Sequence, residues 1–374
     1  MPRSRGGAPP KARDGRPATN VGRPLSAGVG PHERILGSRS TAFELWTPLR
    51  TLLVPEVGLS RLQRLWGSKV DGAAHARFSA FISQAEAFYV SAEGMPAESR
   101  PLVAYYFALN LAKAFLACAD PAVTEGKVFH GLSDDFDRKS KYWFIHERTK
   151  VTTKGVFRDL ARRTGLGYCY AQNHSLAIQK LAPYLAETAD VYEDSVGEPP
   201  RLVPLESVEV WSGGGHVWLR VEVDRGELSR RSLGPQSLPE RAKLFGLRFK
   251  LVQSERPTAS YESDPLAYGG RQILTKADEL RDCFDHALIH SNRGIAGARH
   301  LVVISDNTEL LSQEAVTFAV FHHLSSMVRY RPEQVAKLAD QKWFFLFSTW
   351  VPRAMENFLL ALTSRILREE VRIQ

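Results

Sequence analysis

Residues 101–132 read PLVAYYFALNLAKAFLACADPAVTEGKVFHGL. Residues 101–119 are apolar nearly all round, broken near the centre by Asn110 and Lys113. Asp120–Pro121 stops the pattern, because proline cannot continue a helix. A polar loop then leads to Phe129-His130-Gly131-Leu132. A helix without a polar face must be covered on every side, which places it in the middle of a large core. Its length also admits a membrane-spanning reading, but a central lysine costs about 2.5–3.5 kcal/mol on insertion. The stretch therefore predicts the central helix of a soluble, non-membrane protein.

Working outward, helical patterning dominates residues 41–197. Phe78, Phe81, Ile82, Ala85 and Phe88 recur at three- and four-residue steps and predict a helix over 75–92, ended by Gly94 and Pro96. Further helices are expected over 155–163 and 175–186, with a short strand at Tyr142–Ile145. The period changes to two after Glu198-Pro199-Pro200: Val208 and Val210, then Val217, Leu219, Val221 and Val223, alternate with polar residues. Gly213-Gly214-Gly215 between the two runs marks a hairpin. Strands are expected again at 247–253 and 300–305. Helices return over 273–290 and from 310 onward, the last starting near Pro352. The fold class is thus α+β: predominantly α-helical, with a small antiparallel β-rich insertion at 198–265 between helical parts at 41–197 and 266–374.

The 374 residues carry a net charge of +8, which looks like a nucleic-acid signal until it is located. Residues 1–40 hold Lys11 and seven arginines against only Asp14 and Glu33. The basic surplus belongs mainly to this segment, and the body is close to neutral. The segment is rich in Gly, Pro, Arg and Ser and lacks apolar periodicity, so a disordered basic tail is expected. Cys118, Cys169 and Cys283 lie far apart with no CxxC pair. That excludes a disulfide framework or zinc ribbon and suits reduced thiols in the cytoplasm. No GxxxxGK[ST], GxGxxG, HExxH or GxSxG pattern occurs, and no cofactor or metal is expected.

Several polar positions stand out. Tyr106, Asn110 and Lys113 fall at i, i+4 and i+7 and form one stripe on an apolar helix. They either line a pocket or serve a satisfied structural pairing, because a buried lysine needs a partner or a shifted pKa. His130 suits a general base or a phosphate contact, while in the structural reading Gly131 makes a turn and His130 packs. Arg138, Lys139 and Lys141 follow, as phosphate contacts or as a solvated face. Arg329 and Arg331 flank a helix end at Pro332 and either grip an anion or pair within the fold. His322 and His323 are sequence neighbours that point different ways on a helix, a poor metal pair.

Two blocks carry a resemblance. The Tyr105-Tyr106 helix, Lys113-Ala114-Phe115-Leu116, the Asp120-Pro121 break and His130-Gly131-Leu132 form the first. Leu324 to Glu333, followed by Trp343, forms the second, and Pro352 with Asn357-Phe358-Leu359-Leu360 is a weaker third. Together they resemble the YaaC-like family of bacterial proteins over residues 41–374. The first block also looks, more loosely, like the helix-and-His-Gly pattern of HEPN-type domains. That likeness implies a metal-independent ribonuclease using an arginine and a histidine four to six residues later, in a bacterial stress or phage-defence setting. The first-block helix has no such pair. Arg281 with His286, and Arg293 with His300, have the spacing, and only Arg281 and His286 fall on an expected helix. Three functions stand open. The first is a non-enzymatic binding or scaffold protein touching nucleic acid through its tail. The second is a ribonuclease using Arg281, His286 or His130. The third is a protein-interaction subunit with a protein partner. Oligomeric state is open.

Overall fold

A computed structural model describes residues 23–24, 33–36, 42–135, 148–165, 174–243, 248–253, 257–269, 272–273, 276–277, 280, 289–292, 299–303, 312–338 and 342–373. The chain opens with short strands β1 (Arg23–Pro24) and β2 (Glu33–Leu36), then helices α1 (Ala42–Arg50), α2 (Pro55–Trp66), α3 (Gly72–Glu93) and α4 (Arg100–Ala119). Strands β3 (Leu132–Asp135) and β4 (Arg148–Val151), helix α5 (Val156–Thr164), strand β5 (Ser175–Ala177) and short helices α6 (Ile178–Leu181) and α7 (Tyr192–Val196) follow. Next come β6 (Leu202–Gly213), β7 (His216–Asp224), α8 (Arg225–Arg230), α9 (Ser237–Lys243), β8 (Phe249–Gln253), β9 (Thr258–Ser263) and β10 (Leu266–Ala267). The chain closes with β11 (Ile289–Asn292), β12 (Arg299–Val303), α10 (Gln313–Tyr330), α11 (Pro332–Leu338), α12 (Lys342–Leu367) and β13 (Glu370–Ile373). The protein is mainly helical with antiparallel sheets, as the sequence predicts.

Two compact units result: a sheet unit of residues 1–30 and 204–284, and a helical unit of residues 31–203 and 285–374. The 204–284 segment of the sheet unit overlaps residues 198–265.

The helical unit is built around α4. Sixteen of its residues are buried, among them Tyr105, Phe107, Leu111 and Cys118. Helix α3 packs along it, and α5, α10 and α12 cover the rest. The apolar length that admits a membrane reading is spent on this core, with 83% of the span-like window buried. Two of the covering helices are started by side-chain caps: Asp71 accepts from the Ala74 N–H before α3, and Ser312 from the Ala315 N–H before α10. The core runs on through Trp46, Phe78, Phe318, Phe321, Trp350 and Leu359. An antiparallel sheet ordered β3-β4-β5 lies in this unit, and β2 pairs in parallel with β13.

In the sheet unit, β6 and β7 form the expected hairpin. Gly213 faces His216 across it, and Gly214 and Gly215 between them take φ of +56° and +77°. Two successive positive φ values suit a tight hairpin turn matched to strand twist, which glycine adopts without strain. Strand β9 pairs with β7, and β8 with β9.

Three expectations meet a different outcome. Residues 175–186 are not one helix but β5, α6 and 3-10 turns: Leu176 is buried and Ser175–Ala177 pair with β4. The last helix does not start at Pro352 but at Lys342, with Pro352 inside it. The expected helix over 273–290 does not run to its end, because Ile289–Asn292 pair with Arg299–Val303. Of the expected tail, Arg23–Pro24 and Glu33–Leu36 are paired strands, and the rest of 1–40 lies outside the described residues. The strand at 142–145 also lies outside them.

Candidate functional site

The loop after α4 is held where it delivers His130 to the helical unit's surface. Gly131 and Gly155 cross so closely that a Cβ on Gly155 would stand 2.4 Å from the Gly131 nitrogen. Both residues take positive φ, +88° and +128°, so two glycines are required on two counts. The contact is locked by three backbone hydrogen bonds. The Val156 and Phe157 N–H groups donate to the carbonyls of Phe129 and His130 at 2.9 and 3.0 Å, and Thr152 donates to that of Gly131 at 3.0 Å. The amides opening α5 are thereby satisfied by the very loop that carries the histidine.

Behind His130 lies Tyr105 of α4, fully buried. Its hydroxyl is hydrogen-bonded to His130 Nδ1, and the two rings stack with centroids 5.7 Å apart. Burial, with smaller contributions from Tyr106 and Asp134, pushes the phenol well above its ordinary pKa despite an opposing effect of Arg329. The phenol therefore keeps its proton and, in the Nε2–H tautomer of His130, donates it to Nδ1. A neutral imidazole that accepts at Nδ1 carries its own proton on Nε2. His130 is an exposed residue, so the site offers an N–H donor to solvent.

Two cations stand near. Burial first, then Lys113 and Arg329, push the His130 pKa below its ordinary value. The burial acts through the face of the ring that Tyr105 covers. Lys113 is half-buried and its own pKa is lowered by burial. It lies over the Phe81 ring at 5.4 Å, and the Arg329 guanidinium lies 5.1 Å from the centre of the Tyr330 ring. Among the described residues neither cation forms an ion pair. His322 of α10 sits edge-on to Tyr105 at 5.3 Å. Burial, followed by His130 and Arg329, lowers its pKa to about 3, so it is neutral at physiological pH. Its Nδ1 is 3.9 Å from Asp134 Oδ1 of β3, too far for a hydrogen bond and, with a neutral ring, not an ion pair.

Lys113 and Arg329, from two other segments, thus both act electrostatically on His130. It resolves the other marked positions differently. Tyr106 stacks on Phe88 at 5.4 Å, and the Asn110 side chain donates to the Tyr106 carbonyl one turn back at 2.9 Å, so both serve the helix. Arg331, just beyond α10, is not among the charges that shift His130 or His322. Arg138, Lys141, Arg281 and His286 lie outside the described residues. Tyr105, Asp134 and His322 belong to the constellation and were not expected there. His322 and Arg329 are seven residues apart on one helix face, the same spacing as Tyr106 and Lys113, and that was the available signal. Among the described residues, no group of three His, Cys, Asp or Glu side chains could hold a metal ion.

The site is thus an exposed imidazole on a mainly helical unit, under the electrostatic influence of two cations. The chain belongs to the YaaC-like family, whose family model, described as YaaC-like Protein, matches residues 64–366. The match includes every residue of the site. No curated protein and no solved structure matches the chain.

Proposed function

We propose that this is a non-enzymatic binding protein of the bacterial cytoplasm, and that His130, Lys113 and Arg329 receive a phosphate group of a nucleic acid. The carrying observation is an exposed imidazole on which two cations act, neither of them paired with a described carboxylate. A half-buried ammonium without a counter-charge gains from any anion that approaches it. The Nε2 proton supports binding over base catalysis, since a nitrogen that already holds a proton cannot take another from a nucleophile. The basic segment 1–40 adds salt-sensitive contacts that carry no sequence information. The loose likeness to HEPN-type domains supplies stress or phage defence as the setting.

The test is a gel-shift series with labelled single-stranded RNA and duplex DNA, in EDTA and at two salt concentrations. Lys113→Ala and Arg329→Ala should each weaken binding by about 10- to 100-fold, the size of a lost charge-assisted hydrogen bond. Unchanged affinity in both variants would sink the proposal. Removal of the tail should stop at residue 22, because Arg23–Pro24 and Glu33–Leu36 are paired strands. A second reading, a metal-independent ribonuclease, draws on the same imidazole and cations. Cleavage that persists in EDTA and vanishes in His130→Ala would establish it.

A further inference from the structure

Among the described residues few large aromatic rings are exposed, and two of them are chain neighbours of residues in the proposed phosphate site. Among the described residues the exposed large aromatics are Phe129, Tyr330 and Phe345, at 52%, 64% and 58%. Single exposed apolar residues are ordinary on protein surfaces. Here, however, Phe129 directly precedes His130 and Tyr330 directly follows Arg329. Each ring also has a cation over it: Lys127 at 5.4 Å from Phe129, and Arg329 at 5.1 Å from Tyr330. The backbone beside Phe129 is fixed, because its carbonyl accepts from Val156. Tyr330 is the last residue of α10. Both rings are therefore carried on anchored backbone rather than on free loops.

The geometry points to single-stranded nucleic acid as the ligand, with unpaired bases stacking on Phe129 and Tyr330 while a backbone phosphate is held by His130, Lys113 and Arg329. Alternation of aromatic platforms with cations is how a strand is held without base-edge readout. Duplexes keep their bases stacked on one another and cannot offer a free face, so the site discriminates against them. This inference rests on the phosphate reading above and adds the base contacts to it.

The experiment uses the full chain and fluorescence anisotropy. The probes are a labelled oligouridylate of about ten nucleotides, within the site sizes such surfaces cover, an abasic strand of equal length, and a duplex of equal length. Uridine monophosphate serves as competitor. The abasic strand carries the same phosphates, so contacts from the basic tail cancel in the comparison. The base-bearing strand should bind about 5- to 150-fold tighter than the abasic one, the range for one stacked base. Phe129→Ala and Tyr330→Ala should each remove most of that advantage and leave abasic binding unchanged, and Tyr330→Phe should retain it. Both aromatics are exposed, so the variants should keep the parent's melting temperature. Equal affinity for base-bearing and abasic strands overturns the stacking inference while the phosphate reading survives. So does equal affinity for the duplex, or competition by the mononucleotide as strong as by the strand. If Lys113→Ala and Arg329→Ala leave both strands unaffected, the phosphate reading itself falls.

Discussion

At the scale of single residues, the chemistry of His130 is decided by a tyrosine that looks like core. Tyr105 is one of two adjacent tyrosines, and its ring is fully buried. Yet its hydroxyl is the group that fixes the imidazole. Tyr105→Phe should release Nδ1, let both tautomers populate, and raise the His130 pKa toward its ordinary value, because a hydrogen bond to the neutral form is lost. Nitrogen NMR of the labelled histidine reads both effects, and a wild-type spectrum showing the proton on Nδ1 would contradict the assignment. The same variant should lose about 0.5–1.5 kcal/mol of stability, the net worth of one buried hydrogen bond. The polar stripe of α4 shows what spacing can and cannot tell. Tyr106, Asn110 and Lys113 do share a face, but Asn110 turns back on its own helix and Tyr106 finds Phe88. Of the three only Lys113 acts electrostatically on His130, its charge carried on a long stem past the apolar surface. Periodicity gives the face of a helix. It does not say which side chain on that face finds a partner within its own helix.

At the scale of elements, the central helix, the hairpin and even the nine-residue α5 were legible, and the shortest elements and the start of α12 were not. The central helix announced itself through composition and the Asp120-Pro121 stop, and the hairpin through alternation and its glycines. Strand β5 is three residues long, below any window in which a period can be seen. Pro352 misled for an energetic reason. A proline inside a helix costs about 3 kcal/mol, but Leu346, Phe347, Trp350 and Val351 before it and Ala354 and Met355 after it are all buried. Keeping one helix across the proline buries both sets against the same core. Helix α12 is also tied down by a buried acid. Glu187 accepts hydrogen bonds from Trp350 at 2.9 Å and Asn357 at 2.6 Å on α12, and from Gln313 of α10 at 3.2 Å. Glu187→Ala would remove the acceptor that three buried donors share. A buried donor left without its acceptor costs about 1–3 kcal/mol, so the loss should be at least of that size in chemical denaturation. A loss below about 1 kcal/mol would mean that water replaces the carboxyl group. None of this network was visible beforehand, because Glu187 lies more than a hundred residues from each of its donors.

At the scale of the whole molecule, the buried histidine sets how the protein meets acid. His322 titrates near 3 in the folded state and near 6.5 when unfolded. Its folded pKa is depressed, so between those values the unfolded chain binds the extra proton. Stability is then full above pH 6.5 and declines as pH falls toward about 3. One group in this condition contributes a slope of about 1.4 kcal/mol per pH unit. His130, also depressed, adds to the decline in the same sense just below pH 6.5. Asp159 and Glu356, whose pKa values are raised chiefly by burial, act oppositely: the folded state takes their protons first, which offsets part of the loss at lower pH. The groups facing His322 are Asp134, His130, Tyr105 and Arg329, and replacing His322 leaves all four in place. Urea unfolding of His322→Gln, followed by circular dichroism at several pH values, isolates the contribution. The variant is expected to start less stable at neutral pH, since a packed ring is lost, but its stability should fall with acid less steeply than the parent's. Parallel curves from pH 6.5 to pH 4 would show that His322 takes up its proton without unfolding. The partner for that proton would then be Asp134, 3.9 Å away.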